Sequence, residues 1–336
     1  MIVTFGEAMI RLTPPGFQRL EQAHSLQLDV GGAELNTAAG LARLGHTVEW
    51  VSVLPDNPVG RLVRNRAREA AVGTTRVQFS DEGRCGLYFL EQGAAPRASS
   101  VLYDREHASV TRVSPGGSGF WGGWKPGTFH WKEIFENATW FHVSGITPAL
   151  GAGCAAATAE ALKLAQAAGV HTSLDLNYRS KLWEPATAGR VLRPLLHRLD
   201  LLIATEADAQ LLFGFAGDTF AQAARQFAEK FGIRYVAGVR READLVWRNR
   251  FGAVGYADGH LFETPLLDVE VVDRLGAGDA FAAGVIHGLC RNDFELGLRT
   301  GAAMGALQQT MPGDLPWMTT DDIAAVLAGD SLRINR

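Results

Sequence analysis

No stretch of the chain is apolar for the ~18 residues a bilayer-spanning helix needs, so no helical membrane anchor and no membrane partner are expected. Cysteine is scarce. Cys85, Cys154 and Cys290 are odd in number, widely separated and without a CxxC pair. That argues against a disulfide framework or a structural zinc site and leaves them as small buried hydrophobes. Positive charge is not in surplus either. Lys and Arg number 32 against 36 Asp and Glu, a net charge of -4, whereas a nucleic-acid surface usually carries a basic excess. No basic segment with a short apolar run precedes the first strand-like residues, and the expected location is the cytoplasm. Internal repeats and domain-separating linkers are also missing.

What is present is the composition of a globular enzyme, 47% hydrophobic and 20% charged over 336 residues. Short apolar runs at Ile2–Phe5, Val48–Val53, Trp140–Val143, Thr172–Leu176, Leu201–Ala204 and Tyr235–Val239 read as buried strands. Between them, Leu35–Leu44, Gly60–Ala71, Ala152–Ala168, Glu206–Phe213 and Ala221–Phe231 carry helical patterns. Such alternation predicts an α/β fold, a mostly parallel sheet with helices on both faces and ligands at the carboxyl ends of its strands. Ile10–Thr13, Leu26–Val30, Gly86–Glu91 and Ser100–Tyr103 are strand-like, and no helix separates the members of either pair. They predict a small β lid, from about 10–30 and 85–105, on a single domain spanning 1–336. The segment 114–127 is rich in Gly and Trp and has no assigned role.

The segment from Asp273 to Gly284, Asp-Arg-Leu-Gly-Ala-Gly-Asp-Ala-Phe-Ala-Ala-Gly, carries the strongest chemical signal. Gly276, Ala277 and Gly278 let the backbone approach a ligand, and an apolar helix follows Asp279. Amides collected at a helix N-terminus make an anion site, with Asp279 beside it as a possible base. Taken alone, the segment is also compatible with an ordinary turn and a capping Asp. It lacks the Gly-Lys-Ser/Thr of a Walker A loop.

Four further segments are ordered before it: Asp29-Val-Gly-Gly-Ala-Glu-Leu-Asn36, Val101-Leu-Tyr-Asp-Arg105, Phe141 to Leu150, and Ser173-Leu-Asp-Leu-Asn-Tyr-Arg179. Together the five resemble the ribokinase-like, phosphofructokinase-B-type carbohydrate kinases, from the first strand to Gly313-Asp314. Within that family they are most similar to 2-keto-3-deoxygluconate kinases. The resemblance implies a three-layer sandwich with a β-sheet lid, and ATP-dependent phosphorylation of a sugar acid at its 6-hydroxyl. It makes Asp279 the base and Gly276, Ala277 and Gly278 the anion hole. Gly32, Ala33, Glu34, Asn36, Tyr103, Arg105, Arg179 and Asp314 fall at its sugar site. Asn177, Arg179, Glu206, Arg240, Gly276 and Gly278 fall at its nucleotide site. Mg2+ is implied, with Glu206 near it through water, and so is a homo-oligomer formed through the lid.

Each residue type suits its implied task. An Asn can donate and accept toward vicinal hydroxyls, and a guanidinium can clamp a carboxylate at two points. Read without the family, Asn36 is equally a helix-turn residue, Arg105 a surface ion pair and Glu206 a first-turn acid favoured by the dipole. The chain departs from the family at Pro55 and Arg274, and in the arginine-rich stretch 236–252, which lacks the paired glycines that cover ATP. A fructokinase or other ketose kinase is the alternative within the same chemistry. A sugar-binding relative without turnover is the alternative outside it.

Overall fold

A computed structural model describes residues 1–112, 129–245 and 247–329; the segment 114–127 lies outside them. The strands in chain order are β1 (Ile2–Phe5), β2 (Met9–Thr13), β3 (Gln27–Gly31), β4 (Val48–Pro55) and β5 (Val77–Ser80). Then come β6 (Gly86–Glu91), β7 (Ser100–Asp104), β8 (Trp140–Ser144), β9 (His171–Asp175) and β10 (Leu201–Ile203). The last are β11 (Tyr235–Leu245), β12 (Arg248–Ala257), β13 (His260–Glu263) and β14 (Leu267–Glu270). The large sheet runs β13-β12-β11-β10-β9-β8-β1-β4-β5, and β14 pairs with β12 off this path. From β11 to β5 every pairing is parallel, while β12 is antiparallel to β11, β13 and β14.

Parallel strands need crossovers, and the helices that supply them bury both faces of the sheet. One apolar layer takes in the helices Ala33–Arg43, Ala277–Leu289 and Phe294–Gln308. The opposite layer takes in Ala152–Ala167, Pro185–Leu196 and Phe220–Phe231. The result is the three-layer α/β architecture that the sequence pattern predicts. Helices Ala277–Leu289 and Phe294–Gln308 lie unusually close. A Cβ on Gly284 would stand 2.4 Å from Gly301 backbone, and one on Gly288 2.2 Å from Gly297. This contact fixes the axis of the helix that carries Asp279.

The second sheet, in the order β3-β2-β6-β7, is built from the four segments expected to form a lid. It joins the body through Gly6, Glu7 and Ala8, which link β1 to β2. Strand β11 extends well past the expected Val239 because β12 pairs with it from Tyr235↔Ala257 to Leu245↔Arg248. Helices Pro185–Leu196, Phe294–Gln308 and Thr320–Ala328 were not assigned from sequence.

Candidate active site

Asp279 stands in the first turn of the helix Ala277–Leu289, whose N-cap Gly276 has φ +78°. A side chain is excluded there on two counts, by the left-handed backbone and by space, since a Cβ would lie 2.3 Å from the Asp314 carbonyl oxygen. The helix's first backbone bond runs from the Ala280 N–H to Gly276 O at 2.8 Å. The amides before it have no intrahelical acceptor and present an electropositive end. A Cβ on Gly278 would meet nothing within 4 Å. Packing therefore does not demand glycine at 278, whereas a ligand laid against the backbone would.

One Asp279 oxygen, Oδ2, accepts from the Asn36 side-chain amide at 2.7 Å. Burial pushes the Asp279 carboxyl up to about 7, opposed by the Asn36 hydrogen bond and the Arg179 charge. A base poised near neutral pH is suited to general base catalysis. Asn36 also accepts from Gly32 N–H at 3.3 Å, so it joins the base to the turn at the start of its own helix.

Two clefts meet at this carboxylate. A cavity of about 490 Å3 lies under the lid and includes Gly32, Ala33, Asn36, Tyr103, Arg105 and Asp314 in its wall. Arg179, Gly276 and Asp279 border it and also a second, larger cleft of about 860 Å3. Asn177, Glu206, Arg240 and Gly278 lie in that second cleft. Ala277 is buried in the helix's first turn and contributes backbone only. Glu34 alone among the sugar-side candidates turns inward. It is 1% exposed and accepts from Ser144 N–H at 2.9 Å, Ser144 Oγ at 2.8 Å and Thr147 Oγ1 at 2.6 Å. It pins the Gly32–Asn36 turn to the end of β8.

Sequence reasoning missed several groups here. Arg11, 2% exposed on β2, donates to Asp273 at 2.5 Å, to Asp314 at 2.7 Å and to Thr13 at 2.9 Å. The Tyr88 hydroxyl on β6 donates to the other Asp314 oxygen. Asp273 also accepts from the Leu275 and Gly313 amides, at 3.1 and 3.2 Å. Strands β2 and β6 are thereby fastened to Asp273 and Asp314, and Asp314 is held by protein groups on both its oxygens. The only signal in the sequence was a charged residue between Ile10 and Leu12 in a strand. Lys181, also on the sugar cleft, donates to Val101 O of β7 at 2.9 Å. Its ammonium and the Arg105 guanidinium lie 5.9 and 4.9 Å from the Tyr103 ring centroid.

The larger cleft is dominated by charge. Arg240 forms an ion pair with Glu263 at 2.9 Å. Its neighbour Arg241, not singled out from sequence, packs over the Phe251 ring at 5.3 Å. Burial and the charges of Arg274 and Arg179 push the Arg241 guanidinium down, so three cations converge on one space. Opposite them stand acids. Asp175 at the end of β9 is pushed up to about 8 by burial and by the charges of Asp279 and Asp208. Asp208 accepts from Thr205 in a capping box, and burial raises its carboxyl too. Among the described residues no cluster of three or more His, Cys, Asp or Glu is arranged to hold a metal ion. Magnesium, which binds mostly through water and substrate phosphates with one or two carboxylates, does not require one. The carboxyls of Asp175 and Asp208, both held above their usual range, fit a divalent cation arriving with its substrate.

A model of the pfkB family of carbohydrate kinases matches residues 1–318. The chain is 38% identical to a 2-dehydro-3-deoxygalactonokinase of Haloferax volcanii, over 100% of this chain and 99% of that one. It is 29% identical to a 2-dehydro-3-deoxygluconokinase of Bacillus subtilis, over 95% and 92% of the two chains. Among solved structures, a 2-dehydro-3-deoxygluconokinase of Thermotoga maritima superposes with a TM-score of 0.91 at 34% identity, covering 98% of each chain. The fold, the lid and the paired clefts thus agree with a family match over nearly the whole length, and the chain belongs to the pfkB family of carbohydrate kinases.

Proposed function

We propose that the protein transfers the γ-phosphoryl group of ATP to the 6-hydroxyl of a 2-keto-3-deoxyhexonate, the gluconate form first. The observation that carries this reading is the sugar cleft's charge. Asp279 shares its wall with Arg105, Arg179 and Lys181, which supply positive charge. The Arg105 guanidinium in the cleft wall meets Met9 Sδ at 3.3 Å and Glu7 Oε2 at 3.6 Å, which leaves its charge able to pair with a ligand. A sugar carboxylate is such a ligand, through charge-assisted bonds. The galactonate epimer, which differs at C4, is the second reading, favoured by the 38% identity to the Haloferax enzyme.

In this mechanism Asn36 holds one Asp279 oxygen, and the other takes the hydroxyl proton as oxygen attacks phosphorus. The Gly276–Gly278 backbone and the helix dipole stabilise charge on the transferring group, the main source of rate in phosphoryl transfer. Arg179, shared by both clefts, balances charge between them. Mg2+, with Glu206, Asp208 and Asp175 nearest in charge, would neutralise the phosphates. Arg240 and Arg241 take the place of the family's glycine loop on the nucleotide side.

We read the chain as one domain with its lid, in the cytoplasm, and as a homo-oligomer. Among the described residues no helix is long and apolar enough to cross a membrane. On the lid, register aligns Leu28, Leu12, Phe89 and Leu102 in a row across all four strands, and Leu28 and Leu102 are exposed. Such a row on one face of a sheet suits a second copy. Release of ADP with Mg-ATP and each of 2-keto-3-deoxygluconate, 2-keto-3-deoxygalactonate and fructose tests the function. A preference for either sugar acid supports it; a preference for fructose, or no ADP with any sugar, refutes it.

A further inference from the structure

Glu7 lies in the three-residue connection between body strand β1 and lid strand β2, and it is only 5% exposed. Its two carboxylate oxygens have no hydrogen-bond partner. The nearest cation is Arg105, just past the end of lid strand β7, with Nη2 3.6 Å from Glu7 Oε2. Arg105 otherwise touches Met9 Sδ at 3.3 Å and the Tyr103 ring. The main chain of Glu7 braces the sugar turn as well, because a Cβ on Gly32 would come within 2.1 Å of the Glu7 carbonyl oxygen. One residue at the hinge therefore abuts both the turn before Asn36 and the guanidinium on the far lid strand.

We infer that Glu7 is a positioning residue: its carboxylate holds the Arg105 guanidinium over the sugar cleft, ready for the carboxylate of a sugar acid. This rests on the proposed sugar-acid reading and extends it to a residue that lies behind the cleft wall. A buried carboxylate left without hydrogen bonds is costly, and an anion facing one free guanidinium is the use that offsets the cost. Arg105, a residue of the cleft wall, then meets the substrate with less side-chain freedom to lose on binding.

The inference carries a pH signature. Burial pushes the Glu7 carboxyl up to about 7, the Arg105 charge opposing and the Glu34 charge adding. Cys85 and Cys154, the other titratable groups near it, are pushed up to about 11 and beyond, so they stay neutral in this range. As pH falls through about 7, Glu7 gains a proton and its hold on Arg105 weakens. The KM for the sugar acid should then rise, while the substrate carboxylate itself remains ionised.

The test compares steady-state kinetics of wild type, Glu7→Gln, Glu7→Asp and Arg105→Ala on 2-keto-3-deoxygluconate and 2-keto-3-deoxygalactonate from pH 6 to pH 8.5. The isosteric Glu7→Gln should raise the sugar-acid KM about tenfold at pH 8 with kcat within about threefold, and should abolish the pH dependence of KM. Glu7→Asp, which keeps the charge, should restore most of the affinity. Titration of Asp279 alters kcat, so the KM profile isolates Glu7. If Arg105→Ala raises KM but Glu7→Gln leaves it unchanged or lowers it, the positioning role is overturned and the sugar-acid reading survives. If Arg105→Ala leaves KM unchanged, the sugar-acid reading fails and takes this inference with it. Should Glu7→Gln not fold, a flat wild-type KM between pH 6 and pH 8.5 overturns the inference by itself.

Discussion

On the sugar side of the cleft polar groups are mostly held by other protein groups, whereas on the nucleotide side charges of both signs are gathered beside their own kind. Asp314 is fixed by Arg11 and Tyr88, Asn36 by Asp279 and Gly32, and Lys181 by Val101. Arg274 and Arg179 instead crowd Arg241, and Asp279 and Asp208 crowd Asp175. Fixed groups suit a small substrate whose hydroxyls must be told apart, because a preorganised site loses little freedom on binding. Concentrated charge suits a phosphate chain that arrives with its own metal, which neutralises both sets at once. The difference also explains why the chain keeps the family pattern on one side and departs from it on the other. Glycines that shape a fixed turn have few substitutes, but a phosphate can be met by backbone amides or by guanidinium groups.

Breaking the sugar side should have the largest effect. Arg11→Ala would leave Asp273 and Asp314 buried without their shared cation, a loss of about 3–5 kcal/mol in stability. Denaturant unfolding checks this, and a loss near zero would mean that the lid is not anchored through Arg11. At the junction, Gly278→Ala should separate folding from chemistry. Open space around position 278 predicts an unchanged melting temperature, yet the methyl group would intrude on the phosphate and lower kcat by about 10–100-fold. A normal kcat in this variant would remove the anion cradle from the mechanism. On the nucleotide side, Arg241→Ala should raise the KM for ATP by only several-fold, about one charge contact among several, and leave the sugar KM alone. An equal rise in both would erase the division between the clefts.

Much of this was legible in the sequence where one local rule decides. The parallel strands other than β5 are apolar runs of the right length, and β1, β6 and the helix Glu206–Phe213 have the expected limits. The glycine turn before Asp279 announces itself because the backbone conformation at Gly276 disfavours a side chain. What escaped depends on contacts between distant parts of the chain. Arg11 meets Asp314 across 303 positions, and nothing near either residue predicts the pairing. Glu34 had the right neighbours for a sugar ligand, but its direction is set by Ser144 and Thr147, which β8 delivers. Helix Phe294–Gln308 is small-residue-rich on the face that meets its neighbour, so its apolar stripe is weak.

The central claim is that Asp279, held by Asn36 and poised by burial, is the base. The most direct measurement is kcat for Asp279→Asn beside the wild-type pH profile. Wild-type kcat should fall as pH drops below about 7, where the carboxyl becomes protonated. Asp279→Asn should lower kcat by about 10²–10⁴-fold at every pH, with the sugar KM little changed. Turnover by Asp279→Asn within about tenfold of wild type would contradict the account, because the proton would then have another acceptor.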